Sequence, residues 1–393
     1  MIKTWISTKR AMRTNDNPLV KNALQKGSIG FVHELPVNWT MQDVYEAKIA
    51  LKWQQRLARY NIPVIFTYDI DAFQPISYEK ETYVTMLVPY DEVNTASGKP
   101  YKKFTPFYKK ARTREFFLPH SPIEWKTQDT SDVTESDDWS FPHWSEQLSY
   151  PATTEQEALN YVQKLSLNDY EKNRDMIERS VVTRLSPFIA TGLLTTRTIV
   201  EKGLTEEAFI RQLIWREFAY MTAMHAPNVA TEPLDEKFRS FPWRQDEDDF
   251  RAWCRGETGY PIVDAAMREL RATGYIHNRL RMIVASFLTK HLRIDWTWGA
   301  QYFMDTLLDA DEAVNALNWQ WVAGVGVDSS PYFRIFNPMK QSKDYAPSGE
   351  YIRTWCPDAT NVHEHRPDAI VEHTAAREET LRVYHEWKNM QKS

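Results

Sequence analysis

Residues 308–321 read LDADEAVNALNWQW. Leu, Ala and Val recur there at three- and four-residue spacing, the period of a helix with one buried face. Two aspartates, two asparagines and two tryptophans share the same short stretch. An ordinary core avoids unpartnered carboxylates and amides, because burying them is costly. Asp311, Asn315 and Trp319 fall at i, i+4 and i+8 and form one stripe of the expected helix. Carboxylate, amide and indole together suit a wall beside a flat heteroaromatic ligand with several donors and acceptors. The plainer alternative is a surface face, with Asp309 paired to Arg281 or another arginine. The surrounding Leu307, Leu308, Ala310, Ala313, Val314 and Leu317 favour burial.

The segments around this stretch are helical too. TEEAFIRQLIWREFAYMTAMHA (205–226) is a long amphipathic pattern, and PIVDAAMRELRATG (261–274) starts at proline and stops at glycine. IHNRLRMIVASFLTKHL (276–292) and WGAQYFMDTLL (298–308) follow. The first third differs. KTWIS, GSIGFVHEL and IPVIFTYDI read as short strands, alternating with the helical pattern DVYEAKIALKWQQRLARY, which predicts a parallel sheet. No glycine-rich phosphate loop accompanies it, so a dinucleotide site there is unsupported. Residues 121–160 carry nine acidic side chains and one basic one, Lys126, with many Pro, Ser and Thr. The expected organisation is an α/β unit at 1–118, an acidic interdomain linker at 119–158 and an all-α domain at 159–393.

Composition sets wider bounds. At 393 residues, the chain has the length of two or three domains, and 42% hydrophobic with 26% charged residues is a soluble globular profile. Two cysteines, Cys254 and Cys356, are too few for a disulfide framework and point to a reducing compartment. There is no apolar run long enough for a membrane span and no signal-peptide pattern, so a cytoplasmic monomer is the expectation. The net charge of −5 argues against a protein coated for polyanions, but leaves room for one basic face. Arg271–Ile294 holds five Lys or Arg residues and no Asp or Glu, and is the candidate face.

Three further patterns bear on chemistry. In TRLSPFIATGLLTTR (183–197), Ser186 is expected to cap a helix with Pro187 at its first position, and Thr183 lies just upstream. In FIRQLIWREFAY (209–220), Gln212, Trp215 and Arg216 share a face suited to stacking a base and gripping a phosphate; an Arg216 pair with Glu217 or Glu232 is the ordinary alternative. In GYIHNRLRM (274–282), His277 reads as a core histidine, while Arg279 could meet a phosphate or water. No zinc spacing and no Ser-His-Asp or Cys-His system can be argued.

Taken in order, these segments resemble the DNA photolyase and cryptochrome family. The likeness is dense over 170–356, through YEKNRD, TRLSPFIATGLLTTR, LIWREF, TGYPIVDAAMRELRATGYIHNRLRM, DADEAVNALNWQW and SSPYFRIFNPMKQSKDYAPSGEYIRTWCP. RTNDNPL and SGKPYKKFTPF resemble the family's antenna-type N-terminal domain, Rossmann-like and here shortened. The resemblance implies FAD held in the helical domain and light-dependent repair of a cyclobutane pyrimidine dimer (CPD). Photoexcited reduced flavin would donate an electron to a dimer flipped out of damaged DNA. A cryptochrome-like photoreceptor without repair, and repair of (6-4) photoproducts, are the alternatives.

The same resemblance implies residue roles. Tyr170, Thr183, Leu185, Ser186 and Arg216 would approach the flavin phosphates and ribityl chain. Asn278, Asp309, Asp311 and Asn315 would surround the ring system, with Asn315 at flavin N5. Trp319, Trp296 and Trp243 would relay electrons. Trp215 and Trp321 would flank the lesion beside Gln212, Met282 and Asn278. Arg174, Arg279 and Arg334 would contact DNA phosphates. Some positions depart from the pattern: Gln212 stands where CPD enzymes usually have Glu, Tyr275 and Phe209 replace tryptophans, and Val182 replaces a threonine. A segment between TYDIDAF and TYVTMLVPYDEV is missing, and with it an Asn-Glu pair that grips a folate. Ala230 and Thr231 also differ from folate contacts. A folate antenna is therefore expected to bind weakly or not at all. No metal is implied.

Overall fold

A computed structural model describes residues 2–76, 86–88, 92–129, 135–179 and 183–391. Val182 lies outside them. The first third is the parallel sheet its pattern predicts: β1 (Thr4–Ser7), β2 (Ile29–Glu34) and β3 (Val64–Thr67), side by side in chain order. Phe31 stands opposite Val64, and Ile6 opposite Phe31. Helices α1 (Pro18–Lys26) and α2 (Met41–Leu57) connect the strands. Thr40 starts α2 by a capping box, its hydroxyl accepting the Asp43 N–H at 3.1 Å while the Asp43 carboxylate accepts the Thr40 N–H at 2.9 Å.

The chain then continues in helices: α3 (Phe104–Ala111), α4 (Glu155–Lys164), α5 (Tyr170–Asn173), α6 (Ser186–Ala190), α7 (Thr196–Glu201) and α8 (Glu207–His225). Next come α9 (Glu247–Arg255), α10 (Pro261–Thr273), α11 (Asn278–Ser286), α12 (Trp296–Thr306), α13 (Glu312–Ala323), α14 (Pro338–Tyr345), α15 (Glu350–Trp355) and α16 (His373–Met390). Gly274 ends α10 at φ +69°, a conformation costly for any residue with a Cβ. One hydrophobic cluster joins the sheet to α4–α8 and reaches Leu308 and Leu317. A second is built from α9 to α16.

The acidic stretch lies along the sheet. Asp137 N–H donates to the Phe66 carbonyl at 2.8 Å, and Trp139 stacks on Phe66 with ring centroids 4.9 Å apart. Trp125 meets Trp53 edge-on.

Three expectations need correction. Ser186 is the first helical residue of α6 rather than its cap; Leu185 occupies that place, with no side-chain cap bond. Helix α13 begins at Glu312, so Asp311 caps it and lies outside the stripe. The run Arg271–Ile294 is not a free basic face. Arg279 pairs with Asp175 at 2.7 Å, Arg281 with Asp309 at 2.8 Å, and Arg293 with Glu379 at 3.4 Å. Lys290 is fully buried, where α11 widens into a π-helical turn. Among described helices none is long and apolar enough to cross a membrane.

Candidate active site

Helix α13 is fastened at both ends. At its start, the Asp311 carboxylate accepts the Val314 N–H at 3.2 Å. It also accepts from the Tyr220 hydroxyl of α8 and from the Arg10 guanidinium at 3.2 Å. Arg216 lies 3.9 Å from the same oxygen, donates to the Tyr220 hydroxyl at 3.0 Å and stacks on its ring. Arg216 thus pairs with Asp311 instead of Glu217 or Glu232; Glu232 takes Arg239 at 2.7 Å. Burial alone would push the Asp311 carboxyl up, but Arg10, Arg216 and the Tyr220 hydroxyl outweigh it and hold it below its ordinary value. Arg10, from the loop after β1, is itself tightly placed. Arg10 has φ +57°, and a Cβ on neighbouring Gly192 would lie 2.4 Å from its Cα.

At the far end of α13, the buried Lys290 amino group donates to the Ala323 carbonyl at 2.5 Å. Gln320 is buried and bonds three backbone groups of the 229–234 loop, at Val229, Glu232 and Leu234. That loop contains Ala230 and Thr231. These anchors leave α13 little freedom to slide or rotate.

Between the anchors, alternate sides of α13 do different work. Trp319 points inward and is 2% exposed, against Phe303 at 5.0 Å and Trp253 at 6.2 Å. Gly299 makes this possible, since a Cβ there would lie 2.2 Å from the indole. Trp296 is equally buried, whereas Trp243 is half-buried against Phe241 and Tyr332. Two of these indoles are therefore interior and the third is half-buried. Trp321 is half-buried and sits three residues after exposed Asn318, on the same side of the helix. Asn318 accepts the Trp215 indole N–H at 2.9 Å, which brings Trp215 of α8 to that outer side.

Asn315 is half-buried, and its amide N–H₂ donates to the Ala300 carbonyl at 2.9 Å, so its carbonyl oxygen remains available. Asp309 gives one oxygen to Arg281; the other is buried without a partner among the described residues. A buried carboxylate oxygen left open is costly unless something donates to it. Tyr275, one of the departures from the family pattern, is flanked by Arg184 at 5.0 Å and Arg281 at 5.5 Å. Thr183, buried Leu185 and exposed Ser186 bracket Arg184. Tyr170 and Phe209, a second departure, meet edge-on at 5.8 Å. An open carboxylate oxygen, an open amide carbonyl and nearby guanidiniums form a donor and acceptor set that fits a flavin ring with its ribityl and phosphate groups.

The remaining expected residues fall around this centre. Exposed Asn278 approaches the Met282 sulfur at 4.0 Å, one helical turn apart. Gln212 is half-buried and its side chain donates to the Ala208 carbonyl at 3.4 Å. Arg174 lies 3.9 Å from Asp175, which also holds Arg279, whose guanidinium covers the Tyr345 ring. Arg334 is exposed beside Phe336. His277 caps α11 by accepting the Arg279 N–H at 3.0 Å; burial pushes its imidazole down to about 4, so it is neutral near pH 7. Sequence reasoning missed Arg10, Tyr220, Asn318, Gln320 and the interior place of Lys290. The only local signal was Asn318 inside NWQW.

The pattern of the FAD binding domain of DNA photolyase matches residues 209–388. A deoxyribodipyrimidine photo-lyase of Agrobacterium fabrum is 37% identical over 337 residues, covering 74% of this chain and 70% of that protein. The enzyme of the same name from Escherichia coli is 36% identical over 336 residues, 76% of this chain and 71% of its own. Among solved structures, a bacterial class III photolyase from Agrobacterium tumefaciens superposes with a TM-score of 0.84, at 28% identity and 99% coverage of both chains. An archaeal photolyase from Sulfolobus tokodaii, solved with two FAD molecules, gives 0.79 at 25% identity, covering 98% of this chain and 99% of its own.

Proposed function

The chain belongs to the DNA photolyase family, and we propose that its substrate is a cyclobutane pyrimidine dimer swung out of duplex DNA into the opening beside α13. It is a light-dependent DNA repair lyase that binds FAD. When bound, FAD supplies light absorption and one-electron transfer; the protein supplies the pocket, its polarity and its exclusion of water. The observation that carries the reading is the Asp309 carboxylate, with one oxygen on Arg281 and the other buried and open, in the same segment as Asn315.

The proposed roles are those that the likeness to the family implies. Asp309 would accept from a ring or ribityl donor, and Asn315 would offer its carbonyl to an N–H at flavin N5. Asp311 and Arg216 would act mainly by fixing the start of α13, with Tyr170, Thr183, Leu185, Ser186 and Asn278 completing the cofactor walls. Trp319 and Trp296 are equally buried and Trp243 is half-buried, which supports an electron relay ending near the surface. Trp215 and Trp321 would stack on the extruded pyrimidines, with Gln212 and Met282 against their edges. Extrusion costs a few kcal/mol, least where damage has already weakened pairing. Arg174, Arg279 and Arg334 are the proposed phosphate contacts of the helical domain. The small sheet would be a shortened antenna-type domain, and two free cysteines support a reducing, cytoplasmic setting.

The test is direct. The purified protein should show a flavin visible spectrum and, once reduced, restore a thymine-dimer oligonucleotide under blue light. A coloured protein that never restores the dimer would sink the proposed substrate.

A further inference from the structure

The residues 99–114 have no part in the site described above. They hold five lysines and two arginines and no acidic residue, in a chain of net charge −5. Within this run, α3 buries Phe104, Phe107 and Ala111, at i, i+3 and i+7, and packs on α8. The arginines are engaged: Arg112 pairs with Glu207 at 2.9 Å and Arg114 with Glu92 at 3.4 Å. The lysines are not. Lys102, Lys103 and Lys109 are exposed and Lys110 is half-buried, and no described carboxylate lies within ion-pair distance of any of them.

Their position matters more than their number. The Phe104 ring meets the Trp215 ring edge-on at 4.8 Å, and the Phe104 N–H donates to Asp328 at 2.9 Å, in the loop that follows α13. Lys102 and Lys103 immediately precede Phe104, so they lie beside Trp215, the residue proposed above to stack on the lesion. Arg211, one turn before Trp215 on α8, lays its guanidinium over Phe104 and Tyr108 at 4.9 and 4.8 Å. It bridges the gap between the two lysine pairs at the ends of α3. An eight-residue helix is about 12 Å long, which spans about three phosphates at about 3.4 Å per step of one strand.

We propose that Lys102, Lys103, Arg211, Lys109 and Lys110 form a phosphate track for the DNA strand leaving the lesion, so that the N-terminal domain is part of the DNA interface. The proposal rests on the repair reading above, because the track begins at the wall assigned to the lesion. Flexible ammonium groups without carboxylate partners suit a backbone contact, which needs charge and no fixed fork.

The experiment is binding of two labelled duplexes of one sequence, one with a single thymine dimer, measured across a salt series. Replacing Lys102, Lys103, Lys109 and Lys110 by Gln should flatten the plot of log affinity against log salt on both duplexes. The slope should fall by up to about 2.7, at about 0.9 for each of the roughly three phosphates that the lysines no longer neutralise. The matching four Lys→Arg changes should keep the wild-type slope. A Gln variant within about 0.9 of the wild-type slope overturns the track. So does an Arg variant that falls as far as the Gln variant, since charge would then not be the cause. The retained flavin spectrum reports an intact fold in each variant. The repair reading fails differently: wild type would then bind both duplexes alike and restore no dimer, while the slopes still answer for the track.

Discussion

Two runs of this chain carry positive charge and no acid, 271–294 and 99–114, yet they end in opposite environments. In the first, Arg279, Arg281 and Arg293 meet Asp175, Asp309 and Glu379, and Lys290 is sealed beneath Tyr332 with its Nζ 3.4 Å from the ring centroid. In the second, Phe104, Phe107 and Ala111 take the inner face of a short helix and the lysines face water. The difference teaches that a local excess of one sign says nothing about where the charge is felt. Its partners come from elsewhere in the sequence, and an arginine that finds a buried carboxylate becomes a strut of the site.

The largest effect should come from breaking the interior set. Arg281→Gln strands Asp309, whose side chain is 2% exposed and already has one open oxygen, so stability should fall by about 3–5 kcal/mol. Denaturant unfolding checks this, and a loss as small as that of a surface lysine would erase the contrast between the two runs. A second interior charge has a pH signature. Glu217 is fully buried; one oxygen accepts the Leu87 N–H and the other has no partner among the described residues. Burial pushes its carboxyl up from the ordinary 4.5 to about 7, against the Leu87 N–H and the nearby arginines. The folded state therefore holds a proton that the unfolded chain releases. The stability this gives is complete below the ordinary value and lost as pH rises through about 7. Glu217→Gln stays neutral, so it should gain on wild type by up to about 3 kcal/mol above that range and little at about pH 5. Melting curves at the two pH values decide it.

Between interior and surface stands α13, which faces both ways. Trp321→Ala removes a stacking surface worth about 1–3 kcal/mol per base, so affinity for dimer-containing DNA should drop about tenfold or more with the flavin spectrum unchanged. Asn315→Asp brings a negative charge to the cofactor side and should shift the flavin's reduction potential while leaving DNA affinity alone. Equal behaviour of the two variants would contradict the two-sided helix. The smallest effect on stability belongs to the lysines of α3, where the four Lys→Gln changes should each stay within about 0.5 kcal/mol in unfolding experiments. Their consequence should appear in the salt dependence of DNA binding instead.

Much of the fold was legible because its signals are local. Pro261 and Gly274 bound α10 as start and stop, the three strands have the parallel order their alternation with helices suggests, and the apolar spacing of 308–321 leads into α13. Gly299 was legible only as a glycine; the indole that requires it lies on the next helix. The start of α13 was misplaced by a few residues, because Asp311 has helical spacing to Asn315 yet its carboxylate is used as a cap. The likeness to a known family named the cofactor residues, but could not say that Arg279 is held by Asp175 or that Asp309 keeps an oxygen open.

By itself the sequence determined what depends on neighbours along the chain: helix periods, caps and stops, the parallel βαβ pattern and the ordered flavin-family segments. The tertiary structure alone decided which charges are paired, which are buried and which remain free. Arg10 reaches Asp311 across 301 positions, and Phe104 reaches Trp215 from a separate helix. The physical reason is range: backbone propensity acts within a turn or two, whereas desolvation and charge pairing depend on whatever the fold brings close.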